Sequence, residues 1–130
     1  MKDRLTEALR KARADYCEIR FETLDANSVS FRGEEIDDVS AAKLEGGIVR
    51  ACHKGGWGLA TFDSLASLDA MVEQACVSAR RVGAETTELA DAPADGPEEV
   101  RAEMVRDFRG VPLDAKIGLV RAYNDIVKWE

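Results

Sequence analysis

The chain has 130 residues, of which 45% are hydrophobic and 33% are charged; this balance excludes a disordered chain and fits one folded domain. Its 25 Asp and Glu residues outnumber its 18 Lys and Arg residues, so the net charge is −7. A negative balance argues against nucleic acid as a partner, because phosphate binding requires a basic field. No apolar run approaches the roughly 20 residues of a membrane span, so we expect no membrane partner either.

The negative charge is concentrated in one segment. Residues 84–99 carry six carboxylates and no Lys or Arg, which leaves 19 acidic and 18 basic residues in the rest of the chain. The segment shows no apolar periodicity and contains Pro93, Gly96 and Pro97. It therefore predicts a long acidic loop over residues 84–100, between a domain at residues 1–83 and a further unit at residues 101–130.

The first predicted elements are a helix and short strands. Apolar residues recur at helical spacing over about residues 3–13 and predict a helix, with Leu5, Ala8, Leu9 and Ala12 on its inner face. Apolar and charged residues alternate from Cys17 to Thr23, which is typical of a half-buried strand. A second strand at residues 28–32 follows a predicted turn at residues 25–27, and a weaker extended stretch covers residues 36–44.

A hairpin and a long helix come next. Residues 48–53 and 57–62 have strand patterns that flank Lys54-Gly55-Gly56, which predicts a tight turn. The apolar stripe from Leu68 to Val82 predicts a helix with Ser67 as its N-cap. In chain order these elements (α-β-β-β-β-β-α) predict an α+β fold, with an antiparallel meander sheet of about five strands and helices packed on one face.

Residues 101–130 predict a strand over residues 102–108 and a helix that begins at Pro112 or Asp114. The apolar stripe of this helix runs toward Trp129 without a Gly or Pro stop. We therefore expect these residues either to continue the first domain or to lead into a C-terminal part of a longer protein.

Catalytic and metal chemistry have little support in the sequence. His53 is the single histidine, so a helix with two His ligands for zinc cannot form within these residues. A zinc site that joins His53 to a cysteine, and a nucleophile activated by His53, are the weaker alternatives. The candidate nucleophiles are Cys17, Cys52, Ser64 and Ser67. We expect no catalytic residue and no metal ligand in this chain, and reduced thiols at all three cysteines.

A run of four carboxylates, Glu34-Glu35-Ile36-Asp37-Asp38, is the other cluster that could bind a cation. It lacks the D-x-D-x-D-G spacing of a calcium loop. The run is therefore interpreted as solvated charge at a turn and a sheet edge.

The strongest candidate for a contact surface is the hairpin formed by Gly55, Gly56, Trp57 and Gly58. A large aromatic side chain directly after a Gly-Gly turn suits a hairpin tip that marks a contact surface. The alternative is that Trp57 fills the core beneath the helix at residues 67–82.

Residues 46–61, GGIVRACHKGGWGLAT, resemble the N-terminal domain of the TldD/PmbA family, also called modulators of DNA gyrase. The shared pattern is G-G-x-V-R, four residues, and then G-G-W-G-[FL]-A. Residues 14–20, ADYCEIR, are similar to the first strand of that family. Leu59 departs from the commoner aromatic residue, and the GGWG hairpin is closer to the TldD-like branch than to the PmbA-like branch.

The resemblance implies a cytoplasmic zinc metallopeptidase that acts on peptides or unfolded proteins, as a homodimer or with a paired subunit. The family's zinc site, a His-Glu-x-x-x-His helix with a Cys ligand, lies in the later half of the protein and matches no position here. The chain is then a non-catalytic N-terminal fragment that contributes to subunit contacts or substrate access. It holds no cofactor itself, whereas Zn is implied for the full-length parent.

The partners implied are the C-terminal catalytic domain of the same chain, a second subunit and a peptide substrate. The alternative is a stand-alone peptide- or protein-binding module without enzymatic activity, which would use the sheet edge and Trp57. A small hydrolase built on a Cys/His pair is the third hypothesis.

Overall fold

The computed structural model describes residues 1–90 and 98–127, which fall into two compact units. Unit 1 comprises Met1–Thr23 and Leu44–Glu99, and unit 2 comprises Leu24–Lys43 and Val100–Glu130. The predicted loop residues Pro93, Gly96 and Pro97 lie outside the described residues, as does Trp129, toward which the last predicted apolar stripe runs.

The described residues have an α+β fold, with one three-stranded antiparallel sheet of order β1-β2-β3. The elements are α1 (Lys2–Leu9), β1 (Tyr16–Arg32), β2 (Glu35–His53), β3 (Gly56–Phe62), α2 (Leu68–Val82), a 3₁₀ turn (Phe108–Gly110) and α3 (Leu113–Val127). The structure confirms the predicted hairpin before β3 and the predicted helices at α2 and α3. None of the described helices combines the length and apolarity that a membrane-spanning helix requires.

The prediction of about five strands is wrong, because the described residues form three longer ones. Residues 25–27 stay extended within β1, and Gly46-Gly47 lies inside β2. Turn-forming residues permit a reversal but do not force one, and ladder hydrogen bonds hold a strand extended through them. The chain reverses instead at Gly33, whose φ of +64° suits a two-residue hairpin turn.

The strand predicted over residues 102–108 is also absent from the described structure, which has irregular chain there. Val100 and Val105 are largely exposed, so the apolar pattern has no neighbouring strand with which to pair. The segment ends in the 3₁₀ turn, where the Asp107 carboxylate accepts a hydrogen bond from the Arg109 backbone N–H at 2.9 Å.

The core of unit 1 lies between β3 and α2. Side chains alternate along β3, so that Gly56, Gly58, Ala60 and Phe62 are buried while the residues between them are exposed. The buried residues of α2 that meet this face are Leu68, Val72, Ala75, Cys76 and Ala79. Ala8 of α1 completes the same cluster, so both helices of unit 1 lie on one face of the sheet.

Helix α2 approaches β3 so closely that only glycine fits at two positions of the strand. A Cβ built on Gly58 would lie 2.0 Å from the Ala75 carbonyl oxygen, and one on Gly56 would lie 2.3 Å from the Gly83 backbone nitrogen. Because these contacts are to backbone atoms, they cannot be relieved by a side-chain rotation. The glycines therefore set the distance between the helix and the sheet.

Unit 2 is built differently, since none of its described residues is buried. Helix α3 is held by polar and cation–π contacts with the end of β1 and with the turn that follows it. Asn124 donates a hydrogen bond to the Gly33 carbonyl at 2.7 Å, and the Arg121 guanidinium lies 5.3 Å from the centre of the Phe31 ring. Leu119 and Tyr123 are exposed on the helix, so hydrophobic burial contributes little to this unit.

We predict that Gly58→Ala destabilises the chain by roughly 1–3 kcal/mol, because the new methyl group forces α2 away from β3. Urea unfolding followed by far-ultraviolet circular dichroism measures this change. Gly118→Ala is the matched control, because a Cβ there meets nothing within 4 Å and alanine favours the helix. Equal stability of the two variants would contradict the close approach of α2 to β3.

Candidate functional site

The candidate site lies on the face of the sheet opposite α2. Cys52 pairs with Trp57, and Arg50 pairs with Leu59, in the antiparallel register of β2 and β3. Because cross-strand partners share a face, these side chains line the side of the sheet away from the helix. Trp57 is 40% exposed and Leu59 is 57% exposed. The sequence alternative that Trp57 fills the core beneath the helix therefore does not match its position.

Trp57 is held in place by two neighbours, one cationic and one aromatic. The Arg50 guanidinium carbon lies 4.7 Å from the centre of the indole ring, and the Tyr16 ring meets the indole edge-on at 6.0 Å and 70°. Glu18 joins these two neighbours: its carboxylate accepts a hydrogen bond from the Tyr16 hydroxyl at 2.7 Å and pairs with Arg50 at 3.2 Å. We call these four residues the Trp57 cluster.

The Trp57 cluster is a preorganised surface. The hydrogen bond to Glu18, together with partial burial, raises the pKa of Tyr16 above its ordinary value, so the phenol remains a neutral donor at physiological pH. A guanidinium stacked on an indole has little freedom to reorient. An aromatic side chain fixed in this way loses little conformational entropy when it binds a partner.

The four hairpin residues that were predicted as a contact surface lie in different environments. Trp57 lies on the exposed face, whereas Gly56 and Gly58 face α2 and serve packing. Gly55 occupies the turn with φ of +75°, next to Lys54 with φ of +45°, as a type I′ hairpin requires. Their role as an interface or access surface stays a prediction.

Sequence reasoning missed the other members of the Trp57 cluster. Alternation along β1 places Tyr16 and Glu18 on one face, and alternation along β2 places Arg50 on one face. What brings them to Trp57 is the order and register of the strands, which alternation alone does not specify.

Asp15 anchors the end of the hairpin. One carboxylate oxygen lies 3.1 Å from His53 Nδ1, and the other accepts a hydrogen bond from the Lys54 backbone N–H at 2.8 Å. The Lys54 N–H is the main cause that holds the pKa of Asp15 below its ordinary value, with a smaller contribution from His53. The single histidine is therefore engaged in fixing the turn.

The described residues do not fit a Cys/His nucleophile. Cys52 and His53 are consecutive residues of β2, so their side chains point to opposite faces of the sheet, and Cys52 is only 2% exposed. Burial, together with the neighbouring Cys76 thiol, raises the pKa of Cys17 to about 12, which leaves almost no thiolate at neutral pH. Ser64 and Ser67 are engaged in local hydrogen bonds before α2.

The described residues do not fit a zinc site either. No group of three or more His, Cys, Asp or Glu side chains in residues 1–90 and 98–127 is placed to hold a metal ion. In the carboxylate run, Asp37 pairs with Arg32 at 3.3 Å and Asp38 accepts a hydrogen bond from the Ser40 hydroxyl at 3.1 Å. These carboxylates are engaged in local pairs along the strands.

We predict that the Asp15 carboxyl titrates below its ordinary pKa of 3.8. Because the folded-state pKa is lowered, the carboxylate stabilises the fold above that ordinary value, and this contribution is lost as the pH falls through the folded-state pKa. Carbon-detected NMR titration measures the pKa, and urea unfolding at a series of acidic pH values measures the loss.

Asp15→Asn should make the acid-induced loss of stability shallower. Asp69 is an internal control in the same titration, because its pKa is lowered by Arg4 and Lys11 and should not respond to the substitution. An ordinary pKa for Asp15 would show that the bond to Lys54 does not form.

We also predict that the native thiols resist alkylation. Iodoacetamide at mildly alkaline pH should label Cys17, Cys52 and Cys76 far more slowly in the folded chain than in urea, because burial shields the thiols from the reagent. Mass spectrometry of tryptic peptides resolves the three sites. Rapid native labelling of Cys52 that slows in His53→Ala would instead support the hydrolase hypothesis.

The chain is similar to a known protein family, to a curated protein and to a solved structure. The family described as PmbA/TldA metallopeptidase domain 1 matches residues 17–79. The chain is 32% identical over 120 residues to the metalloprotease slr0863 of Synechocystis sp., a match that covers 91% of this chain and 26% of that protein. TldE from Thermococcus kodakarensis has a similar fold, with a TM-score of 0.59 and 18% identity over 95% of this chain and 29% of that one.

These findings agree with the motif at residues 46–61. At 18% identity the solved structure speaks for the fold alone, while the family match and the curated relative speak for descent. The chain spans about a quarter of the length of that curated relative. By motif, family match and fold, the chain belongs to the TldD/PmbA family and represents that family's first domain.

Proposed function

We propose that the chain is the non-catalytic N-terminal portion of a zinc-dependent peptidase that acts on peptides or unfolded proteins in the cytoplasm. The observation that carries this proposal is the match to a metallopeptidase family in a chain whose described residues offer no metal site. The zinc of the parent protein would then be bound by residues outside this sequence, and no catalytic step involves the residues described above.

Within that parent, the chain contributes to subunit contacts or to substrate access. Two features support this role. The Trp57 cluster presents a fixed indole and guanidinium on an open sheet face, a pairing that is enriched at protein interfaces. Unit 2 exposes apolar side chains on α3, including Leu119, Tyr123 and Ile126, which is typical of a surface that a partner covers. The proposed partners are the catalytic domain of the parent and a second subunit.

A stand-alone peptide- or protein-binding module is the second candidate function. The exposure of Trp57 and Leu59 beside each other on one strand favours it. The coding sequence downstream of residue 130 distinguishes the two functions, because the first requires a His-Glu-x-x-x-His zinc motif there and the second does not. A downstream sequence without that motif would contradict an active peptidase.

We predict that the purified chain retains far less than one equivalent of zinc after dialysis and does not hydrolyse casein or unfolded peptides. Inductively coupled plasma mass spectrometry measures the metal, and release of fluorescent fragments from labelled casein measures hydrolysis. His53→Ala is the matched control and should behave as the unsubstituted chain does. Stoichiometric zinc that is lost in His53→Ala would overturn the assignment of the metal to another part of the parent.

A further inference from the structure

The free edge of β3 is the most unusual surface of unit 1. Among residues 1–90 and 98–127, β3 is the last strand of the sheet, and its sequence GWGLATF contains no charged residue and no proline. Its register with β2 runs without interruption from Gly56 to Phe62, so no bulge bends it away. Edge strands of folded proteins are normally protected by one of these devices, because an unprotected edge pairs with other chains.

The register shows which backbone groups face outward. His53 and Gly56 flank the two-residue hairpin loop and exchange both of their ladder hydrogen bonds. Along the ladder, hydrogen-bonded pairs then alternate with pairs that share no hydrogen bond. Cys52 and Trp57 are thus a pair without mutual hydrogen bonds. In agreement, the Cys52 carbonyl accepts a hydrogen bond from the Asp15 N–H at 2.9 Å and points toward β1. The N–H and C=O groups of Trp57, Leu59 and Thr61 consequently point to the free edge.

Helix α2 extends over this edge. It packs mainly on β3, and its backbone lies directly above Gly58. A helix about 10 Å wide covers two strands spaced about 4.8 Å apart. Because α2 is centred on β3, the outer half of the helix extends beyond the sheet. Beneath that half there is room for roughly one further strand.

The side chains of α2 agree with this placement. One flank faces α1 and β1, where Asp69 pairs with Arg4 at 2.9 Å and Cys76 neighbours Cys17. The opposite flank carries Met71 and Val82, which helical spacing places roughly 120–160° from Asp69 and Cys76. Met71 is partly exposed and Val82 is 65% exposed, so two apolar side chains, with Ser78 between them, overhang the free edge.

We propose that this edge is a binding site for an extended peptide, which adds to the sheet as a fourth strand beside β3. The peptide pairs its backbone with Trp57, Leu59 and Thr61, and alternate side chains meet Met71 and Val82 on one face and Trp57 and Leu59 on the other. Because β3 carries no charge, the site favours uncharged peptides with small or apolar residues at alternate positions.

A second copy of the chain does not fit this edge. Antiparallel pairing of two β3 strands would place both α2 helices on the same face, with axes about one strand spacing apart, near 4.8 Å. Packed helices require about 8–10 Å. A single strand without its own helix meets no such obstacle, which is why the occupant is a peptide segment.

A peptide site at this edge would serve the proposed role in substrate access. It rests on the proposed function only in one respect, namely that the peptide comes from another molecule. The probe is acetyl-Lys-(Thr-Val)₃-Lys-amide, added to the whole chain while amide hydrogen exchange is followed by NMR. The amides of Trp57, Leu59 and Thr61 should exchange about tenfold more slowly at saturation. Those of Gly58 and Ala60, already paired with β2, should not change.

Two controls isolate the backbone pairing. The same peptide N-methylated at every residue keeps the side chains but has no N–H donors between its residues along the backbone, and it should not protect the edge. Leu59→Pro removes an outward N–H without touching a ladder bond and should abolish binding, whereas Leu59→Ala should retain it. If Leu59→Pro does not fold, Thr61→Pro and Thr61→Ala form an equivalent pair.

Unchanged exchange with the probe peptide, or equal protection by the N-methylated peptide, would overturn the proposal. Protection of the same amides that rises with protein concentration in the absence of peptide would overturn it in favour of a second copy. These outcomes are independent of zinc and hydrolysis, so a failure here leaves the peptidase assignment intact. Conversely, if the edge binds the probe but the coding sequence lacks the zinc motif, only the peptidase assignment would be overturned.

Discussion

The contact between the backbone of α2 and the glycines of β3 is the constraint on which unit 1 depends. With Gly56 and Gly58 against Ala75, Ala79 and Gly83, the helix lies nearer to the sheet than side chains of ordinary size would allow. Small residues on both elements give close packing without a large apolar volume. This contact also directs the other residues of β3, since the strand that presents glycines to the helix must present Trp57 and Leu59 to the opposite face.

The two faces of the sheet therefore have different tasks. The inner face carries the core, and substitutions there are poorly tolerated. The outer face carries charged and aromatic residues whose contacts with each other are exposed, and exposed ion pairs such as that of Arg50 with Glu18 contribute little to stability. A surface that is fixed in geometry but unimportant for folding is free to be specialised for recognition, which fits the accessory role proposed above.

How much of the fold and of the Trp57 cluster could be predicted from the sequence depended on how far apart along the chain the interacting residues lie. Periodicity predicted α2 because its stripe is long and local, and the Lys54-Gly55 turn predicted the last hairpin because positive φ angles need particular residues. The lengths of β1 and β2 were not predictable, because pairing across the ribbon overrides the turn signal of Asp25-Ala26-Asn27. Of the Trp57 cluster, only the indole was predicted as a contact residue, because Tyr16 and Arg50 reach it through strand order and register.

The spacing of the helix–strand contact has a consequence for how this region can change over evolutionary time. Four residues of a helix rise about 6.0 Å, and two residues of a strand rise about 6.6 Å. Gly58 lies against Ala75 and Ala79, and Gly56 lies against Ala79 and Gly83, so a step of four residues along the helix matches a step of two residues along the strand. One residue inserted into or deleted from the middle of α2 would rotate the helix by about 100° and bring a bulky side chain over a glycine. Chain length in this helix is thus fixed more strictly than residue identity, and insertions that distinguish relatives are to be sought after Gly83.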